Sequence, residues 1–381
     1  MRVLFVDQYA QIGGGQRILL DIVEDFKAAG WECVVALPED GPLTEILANN
    51  SISVRHFPLP RMMAGRKSLK DQLTYFPAAI AASRELKRIA MEFAPDVVFC
   101  NGPRCVLPTV LMAGAMDVPV ICAVHLIFKG RERALLSWCF RRQCVRAVTF
   151  CSTVAAEAFP DLPSDKRTLI GNWVSPRIQA APPTPEARKL FGLHEGQIAV
   201  GVVGRLSRKK GQRLFLEAMA PLAHAMPNLR LLVAGSSDFE DPEEEAHLRT
   251  IAADLGMSYH VVFLGNVANT VALMDALDVL VVPSIWEEPF GLVAVEGMAR
   301  GLPVVASRSG GLVDIVENGE TGYLVERDAA SIREAVKRLI GNPVLREEMG
   351  RKGLKRVMGA FSAPQRLEAL RQMARNLLAI A

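Results

Sequence analysis

Residues 286–301 read WEEPFGLVAVEGMARG, an apolar stretch that holds two glutamates, Glu288 and Glu296, eight positions apart. Pro289 is typical of a first helical turn, so we predict a helix that begins near it and offers the N–H groups of residues 290–293 to an anion. Burying two carboxylates is costly unless each has a partner. Because a carboxylate only accepts hydrogen bonds, the paired hydroxyls of a sugar or ribose are suitable donors to both.

A simpler alternative for the second glutamate is an ion pair with Arg300, one turn later on an exposed helix face. Val293, Val295 and Met298 indicate instead that this helix is largely buried. We therefore favour a ligand as the partner of the carboxylate.

Short apolar runs on both sides of this stretch alternate with helical patterns. In the second half of the chain we predict strands at IAVGVVG (198–204), LRLLVAG (229–235), VVFLG (261–265), VLVVPS (279–284) and PVVAS (303–307). In the first half we predict them at VLFV (3–6), CVVAL (33–37), VVF (97–99) and PVICAV (119–124). This rhythm is typical of parallel sheets covered by helices on both faces. The predicted fold class is α/β, with two Rossmann-like, doubly wound domains facing a central cleft.

The rhythm is interrupted once, by SPRIQAAPPTP (175–185), which contains four prolines. We predict an N-terminal domain at 1–174, a semi-rigid linker at 175–190 and a C-terminal domain at 191–361. Residues 362–381 have an apolar side and form a last helix.

Composition limits the classes of protein. Half of the 381 residues are hydrophobic and 22% are charged, which is typical of a globular chain, and the net charge of +3 gives no reason to expect a nucleic acid partner. We expect no secretory leader and no membrane span, since the longest apolar candidate, 105–128, is interrupted by prolines and an aspartate. The seven cysteines are odd in number and contain no C-x-x-C pair, so free thiols in a reducing cytoplasm are expected.

Three glycines, Gly13, Gly14 and Gly15, follow the first predicted strand and open a helix. They allow a close backbone approach, and the helix N-terminus offers N–H groups to an anion; a tight turn is the alternative. The dinucleotide fingerprint G-x-G-x-x-G is absent because Ile18 occupies its last glycine position, which argues against an NAD oxidoreductase.

A second candidate anion site is GRLSRKKG (204–211), directly after a predicted strand. Arg205 and Lys210 bracket this loop and can serve a phosphate as a planar fork and a point charge; an exposed basic turn is the alternative. His125 ends another strand, where it is either a site residue or a structural histidine. A third glycine loop, SGG (309–311), precedes Asp314. Together, cations and helix N-termini for a diphosphate and carboxylates for hydroxyls match the chemistry of a nucleotide-diphospho-sugar.

The order of these motifs resembles the large family of retaining glycosyltransferases with the GT-B fold, the glycosyl transferases group 1. Its E-x7-E signature corresponds to Glu288 and Glu296, and FLGNV (263–267) and SGGLVDIVENGETGYLV (309–325) also match. The resemblance covers nearly the whole chain and is most specific over residues 198–330.

The resemblance implies a role for each matched residue. The donor-binding residues would be Gly14, Gly15, Leu264, Gly265, Val267, Phe290, Gly291, Leu292 and Glu296. The catalytic set would be His125, Arg205, Lys210 and Glu288. Within these sets Glu296 would bind the ribose, Glu288 and His125 the transferred sugar, and the two cations the diphosphate. The backbone of residues 264–267 would read the base, and the last helix would cross back to the N-terminal domain.

The family is retaining and needs neither a divalent metal nor a cofactor; cations and helix N-termini can stabilise the departing diphosphate. The chain departs from the family pattern at four places: Asn172-Trp173-Val174-Ser175 replaces N-G-V-D, Gly235-Ser236-Ser237 replaces G-x-G, Leu126 replaces Asp, and Asp314 replaces Glu. These departures concern the acceptor and the identity of the sugar more than the core of the donor site.

Two basic segments, 61–70 and 126–147, interleave cations with apolar residues. Such segments can lie on an anionic membrane surface, so we expect a lipid-linked or glycan acceptor; a helix whose apolar side belongs to the core is the alternative.

The sequence thus favours a cytoplasmic glycosyltransferase, peripheral to the inner face of the cytoplasmic membrane, in bacterial surface polysaccharide, lipopolysaccharide or glycolipid synthesis. A nucleotide-sugar epimerase or phosphorylase of the same fold, and a non-catalytic nucleotide-sugar-binding subunit, are the competing hypotheses.

Overall fold

The structure is a computed structural model that describes residues 1–60, 69–237 and 241–379, with side chains except at 69–73 and 379. It divides into two units. The first comprises Met1–Trp173 together with the segment that begins at Ala363, and the second comprises Val174–Ser362.

The first unit contains seven strands and seven helices within the described ranges. Its elements in chain order are β1 (Arg2–Asp7), α1 (Gly14–Ala28), β2 (Glu32–Leu37), α2 (Pro42–Asn49), β3 (Ser53–His56), α3 (Leu69–Phe93), β4 (Val97–Asn101), α4 (Pro103–Gly114), β5 (Val120–Val124), α5 (Gly130–Phe140), β6 (Val145–Phe150), α6 (Thr153–Glu157), β7 (Arg167–Leu169) and, after the second unit, α16 (Ala363–Ala379).

The second unit contains six strands with helices between them. Its elements are α7 (Pro176–Ala180), α8 (Ala187–Leu190), β8 (Ile198–Val203), α9 (Gln212–Ala225), β9 (Leu229–Ala234), α10 (Glu244–Asp254), β10 (Val261–Gly265), α11 (Thr270–Ala276), β11 (Val279–Val282), α12 (Leu292–Ala299), β12 (Val304–Ser307), α13 (Leu312–Ile315), β13 (Gly322–Val325), α14 (Ala329–Ile340) and α15 (Pro343–Ala360).

Both sheets are parallel and doubly wound. The first has the order β3-β2-β1-β4-β5-β6-β7, and the second has the order β10-β9-β8-β11-β12-β13. Central strands such as β4 and β5 are buried at every residue, which explains why they read as uninterrupted apolar runs. In each sheet the chain order reverses once, between β1 and β4 and between β8 and β11, and ligands in such sheets bind outside the carboxyl ends of the strands at that point.

All nine predicted strands are present, and the predicted α/β class is confirmed. Four further strands, β3, β6, β7 and β13, were missed. Three of these lie at sheet edges, where partly exposed residues such as SVRH in β3 lack an apolar run. The fourth, β6, follows a cluster of arginines that obscured its pattern.

The predicted semi-rigid linker, 175–190, is folded. It holds two short helices and belongs to the second unit, where Arg300 donates to the carbonyl of Ala181 at 2.8 Å and the backbone N–H of Thr184 donates to Asp275 at 2.8 Å. The last helix, α16, belongs to the first unit: Arg371 Nη1 lies 2.5 Å from the carboxylate of Asp25 in α1.

Candidate functional site

The carboxyl ends of β10, β9 and β8 lie side by side in the second unit. The N–H of Gly235 donates to the carbonyl of Gly265 at 2.7 Å. A Cβ on Gly235, whose φ is +137°, would lie 1.9 Å from the carbonyl oxygen of Gly204. Only glycine permits this approach, which brings the predicted base-reading residues near Gly265 to the same edge as Arg205.

Beside this edge, Lys210 and Glu288 form an ion pair. Lys210 Nζ lies 2.8 Å from each carboxylate oxygen of Glu288, and Ser284 Oγ donates to the same carboxylate at 2.9 Å. Glu288 is only 7% exposed, so these donors supply the partner that its burial requires. The cation predicted for the diphosphate and the carboxylate predicted for the sugar are therefore direct partners.

The loop that carries Glu288 is held by its backbone. The N–H of Glu288 donates to Ser309 Oγ at 3.3 Å, and the N–H of Gly311 donates to the Glu288 carbonyl at 2.8 Å. Arg327 Nη2 also donates to Ser309 Oγ, at 3.0 Å. The SGG loop, which was predicted to approach a ligand, thus supports Glu288. The supporting residues Ser284, Ser309 and Arg327 were missed, because hydroxyls and one arginine have no distinctive spacing.

The helix after Glu288 begins later than predicted. It starts at Leu292 rather than near Pro289, because its N-cap Gly291 has a φ of +111° and ends an irregular loop. Phe290 and Gly291 consequently precede the helix. Its first-turn N–H groups begin at Leu292.

The second glutamate of the pair, Glu296, lies in the second turn of α12 and is 8% exposed. The alternative partner, Arg300, uses all three guanidinium nitrogens elsewhere: Nε and Nη2 bind the carboxylate of Asp275 at 2.7 and 3.0 Å, and Nη1 binds a backbone carbonyl. The exposed i,i+4 ion pair is therefore not the arrangement found. Glu296 is a buried carboxylate on the helix that follows the Glu288 loop.

Arg205 differs from Lys210 in its exposure. Its side chain is exposed in the turn after β8, and its carbonyl accepts from Gln212 Nε2 at 2.8 Å. Lys209 and Lys210 lie 5.3 and 6.0 Å from the ring centroid of Trp286, another residue that the sequence did not single out. The structure thus pairs Lys210 with Glu288 and leaves Arg205 at the surface of the same edge.

In the first unit, α1 begins within the glycine run, with Gly13 as its N-cap. Gln16 Oε1 accepts from the N–H of Gly13 at 3.2 Å, and Gln16 Nε2 donates to Asp7 at 3.0 Å. Asp7 is fully buried, and Asn101 donates to it at 2.5 Å. Asp7 and Asn101 end β1 and β4, the two strands between which the order reverses.

His125 is joined to this network. Its Nε2 lies 2.8 Å from Asn101 Oδ1, while its Nδ1 is buried with no hydrogen-bond partner among the described residues. Burial lowers the pKa of His125 to about 4. His125 is consequently a neutral imidazole at physiological pH.

Burial has the opposite effect on Asp7. It raises the pKa of Asp7 to about 6, and hydrogen bonds from Asn101, Tyr9 and Gln16 limit the rise. The residues Asp7, Gln16 and Asn101 were missed in the sequence, since an acidic residue and two amides far apart in the chain form no motif.

Of the two predicted membrane-binding segments, 126–147 is described in full and 61–70 is not. Residues 61–68 lie outside the described part of the chain. In 126–147 the apolar residues Phe128, Leu136 and Phe140 are buried, as the alternative of a core-facing side proposes. Trp138 remains 45% exposed, with the guanidinium of Arg142 3.9 Å from its ring centroid. Within the described ranges, no helix has the length and hydropathy needed to cross a bilayer.

The seven cysteines are free, and six are buried. Burial raises the pKa of Cys33 and Cys139 to about 12, so these thiols stay protonated. Across residues 1–60, 69–237 and 241–379, no three His, Cys, Asp or Glu side chains gather in a way that could hold a metal ion.

Two family profiles match the chain. The profile of Glycosyl transferases group 1 matches residues 183–356, and that of Glycosyltransferase Family 4 matches residues 12–177. The chain is thus similar to the group 1 glycosyltransferases over residues 183–356. Both glutamates of the E-x7-E signature fall within the first match, and the glycine loop and His125 fall within the second.

Curated relatives match parts of the chain. A D-inositol 3-phosphate glycosyltransferase of Corynebacterium jeikeium is 37% identical over 172 residues, which cover 44% of this chain and 41% of that protein. The capsular polysaccharide biosynthesis glycosyltransferase CapM of Staphylococcus aureus is 31% identical over 191 residues, which cover 50% of this chain and 49% of that protein. The matched regions thus span half or less of these relatives.

Among solved structures, Anabaena Alr3699/HepE in complex with UDP and glucose resembles this chain with a TM-score of 0.85. The identity is 22%, and the match covers 99% of this chain and 100% of that one. A likeness at this identity establishes the fold, which is the predicted GT-B type.

Proposed function

We propose that this protein is a glycosyltransferase that moves a sugar from a nucleotide-diphospho-sugar to an acceptor. One observation carries the proposal: along the carboxyl edge of the second sheet, the turn after β10, the basic turn after β8 and the Glu288 loop after β11 follow one another in the order base, diphosphate, sugar. Neighbouring strands are about 4.8 Å apart, so these positions suit the successive parts of one extended nucleotide-sugar.

In this proposal the ion pair of Lys210 and Glu288 is the state of the site before the donor binds. Lys210 then binds a diphosphate oxygen with Arg205, and Glu288, which retains Ser284 as a donor, accepts a hydroxyl of the sugar. Glu296 accepts the ribose hydroxyls from α12, and the turn at Leu264, Gly265 and Val267 contacts the base. The Anabaena relative, whose structure is a complex with UDP and glucose, supports this class of donor.

The reaction that we propose is a retaining transfer without a metal. The bond between the anomeric carbon and the diphosphate oxygen breaks as the acceptor oxygen bonds to the same carbon on the same face. The acceptor's proton passes to the departing diphosphate, whose negative charge the two cations stabilise. His125 contributes as a neutral contact to the sugar, since its lowered pKa leaves the imidazole uncharged at physiological pH, without the imidazolium proton that a general acid donates.

For the acceptor we propose a lipid-linked or glycan molecule of bacterial surface polysaccharide, lipopolysaccharide or glycolipid synthesis, bound by the first unit at the inner face of the cytoplasmic membrane. The exposed pair of Trp138 and Arg142 suits the headgroup region of an anionic bilayer. We expect the purified protein to sediment with anionic but not with zwitterionic liposomes at physiological salt. Equal behaviour with both would remove the membrane from the proposal.

The decisive experiment is calorimetric titration with UDP, GDP and ADP in the presence of EDTA. We expect one nucleotide to bind, and Glu296→Ala and Lys210→Ala each to weaken it by about 1–3 kcal/mol, as lost charged hydrogen bonds do. Lys352→Ala is the matched control, because this lysine pairs with Glu348 on an exposed helix at 2.8 Å. Binding that ignores both substitutions, or that needs a metal, would contradict the proposed site.

A nucleotide-sugar epimerase, a phosphorylase and a non-catalytic subunit all remain compatible with nucleotide binding. Incubation with the sugar form of the preferred nucleotide separates them. A transferase releases the nucleoside diphosphate only when an acceptor is present, an epimerase changes the sugar without an acceptor, a phosphorylase depends on inorganic phosphate, and a binding subunit leaves the donor intact.

A further inference from the structure

Asp7 makes hydrogen bonds that the proposed chemistry does not use. Its Oδ1 accepts from the N–H of Tyr9 at 2.9 Å and from Gln16 Nε2 at 3.0 Å. Its Oδ2 accepts from Gln16 Nε2 at 3.2 Å and from Asn101 Nδ2 at 2.5 Å. An ionised carboxylate is an acceptor only, so both amides must turn their NH2 groups towards it.

The orientation of each amide determines what its oxygen can accept. Gln16 Oε1 faces the N–H of Gly13 at 3.2 Å, at the start of the glycine loop. Asn101 Oδ1 faces His125 Nε2 at 2.8 Å, and because this oxygen is an acceptor, the imidazole carries its proton on Nε2. Asn101 Nδ2 also donates to the carbonyl of Gly15, at 3.3 Å, which favours the same amide orientation.

We propose that Asp7 is a positioning residue that fixes, through Gln16 and Asn101, both the conformation of the glycine loop and the tautomer of His125. The inference rests on the proposed function in one respect, namely the roles that it gives to the glycine loop and to His125. The direction of the hydrogen bonds stands independently of that function. We call Asp7, Gln16 and Asn101 the relay. All three side chains are buried, with exposed fractions of 0% for Asp7, 8% for Gln16 and 2% for Asn101, so water does not compete with this arrangement.

The test uses Asp7→Asn, which keeps the shape of the side chain and replaces one acceptor by a donor. Asp21→Asn is the matched control, since Asp21 is also a buried carboxylate of the first unit and accepts from Trp173 Nε1 at 2.9 Å. Long-range ¹⁵N–¹H spectra report the tautomer of His125, whose signals are assigned by their loss in His125→Gln. The backbone amide signals of Gly13 and Gly15 report the loop.

We expect the wild type to show His125 with its proton on Nε2. In Asp7→Asn we expect loss of this single-tautomer signature and shifted glycine amides, and in Asp21→Asn neither. Where donor and acceptor are known, kcat should fall about tenfold to a hundredfold in Asp7→Asn, as expected for misplaced groups, with a smaller change in KM.

Two further variants, each of which replaces one of the two amides that bind Asp7, keep the test decisive if Asp7→Asn does not fold. Gln16→Met should shift the Gly13 amide and leave His125 unchanged, and Asn101→Ala should release His125 and leave Gly13 unchanged. A wild-type proton on Nδ1, or variants that move neither reporter, would overturn the relay. If no nucleotide binds but the reporters respond as expected, the proposed function fails and the relay stands.

Discussion

The ion pair between Lys210 and Glu288 predicts a measurable cost when one partner is removed. Lys210→Met leaves Glu288 buried beside Ser284 alone, and we expect it to lower the free energy of unfolding of the second unit by about 2–3 kcal/mol. The double variant Lys210→Met with Glu288→Gln should recover part of this loss, because the uncompensated charge is gone. Urea unfolding of the wild type, of the single variants Lys210→Met and Glu288→Gln, and of the double variant gives the coupling energy between the two side chains.

Lys352→Met is the control for this cycle. Lys352 pairs with Glu320 and Glu348 at 2.8 Å on an exposed surface, where ion pairs contribute about 0–1 kcal/mol. Equal losses for the two lysine variants would mean that Glu288 is well solvated, contrary to its burial.

Opposite pH dependences are expected for the stability contributions of Asp7 and His125. Burial raises the pKa of Asp7 from 3.8 to about 6, so the folded state holds a proton that the unfolded state releases, and stability falls as pH rises through this window. Burial lowers the pKa of His125 from 6.5 to about 4, so the unfolded state binds the extra proton and stability falls as pH decreases. In the wild type, the changes in stability with pH that Asp7 and His125 cause largely cancel each other.

Urea unfolding between pH 4 and pH 8 separates the two contributions. Relative to wild type, Asp7→Asn should gain about 2 kcal/mol as pH rises from 4 to 6, because most of the cost of ionising the buried Asp7 develops between its unfolded pKa of 3.8 and its folded pKa of about 6. His125→Gln should instead gain stability, relative to wild type, as pH falls. Variant curves that run parallel to wild type would contradict both assignments.

At the residue scale, the sequence predicted those features of the site whose residues lie close together in the chain. The two glutamates, the two cations and the glycine run each occupy a few neighbouring positions whose chemistry can be read locally. The partners across the sheet could not be predicted, because Lys210 and Glu288 are 78 positions apart and Asp7 and Asn101 are 94 apart. Only the strand order places such residues together.

At the scale of elements, the loop before α12 predicts a strict need for glycine. A Cβ on Gly310, which has a φ of +50°, would lie 2.0 Å from the Glu288 carbonyl oxygen. We expect Gly310→Ala to displace the Glu288 loop, to lower the free energy of unfolding by more than the ~1 kcal/mol of unfavourable backbone conformation, and to weaken nucleotide binding. Thermal unfolding and calorimetry measure the two effects.

Gly319→Ala isolates the contribution of the backbone conformation. Gly319 has a φ of +83°, and a Cβ there would meet no atom within 4 Å, so this variant should lose only about 1 kcal/mol and bind nucleotide normally. If both alanine variants behave alike, the close approach to Glu288 is unimportant.

Element prediction succeeded where burial on both faces makes a strand uniformly apolar, as in β4 and β5. It failed at β3 and β13, which are edge strands whose residues are partly exposed. It also misplaced the start of α12, because Gly291 is left-handed and a Cβ there would lie 2.5 Å from the side chain of Leu312 in a later helix. Boundaries of this kind depend on tertiary contacts that a local pattern does not contain.

At the scale of the whole molecule, α16 should be required for the first unit and dispensable for the second. Leu370 is 2% exposed, and it lines a cavity of about 20 Å³ together with Ile18, Ile22 and His125. We expect Leu370→Ala to cost about 2–5 kcal/mol, the usual range for a buried leucine. Hydrogen exchange should show the lost protection in β1 and β4, with β8 and β9 unchanged.

Leu378→Ala, on the same helix but 40% exposed, is the control and should change stability by about 0.5 kcal/mol or less. Equal loss of protection in both sheets after Leu370→Ala would contradict the division into two units.

The discontinuous first unit also has a consequence for synthesis on the ribosome. Its residues up to Trp173 emerge first, but α16 is made only after the whole second unit. At about 5–20 residues per second, the nascent first unit waits roughly 10–40 s for its last helix. The second unit is continuous in the chain and can finish first, so the usual order of cotranslational folding is reversed, and chaperones have a long interval in which to bind the uncovered apolar surface of the first unit.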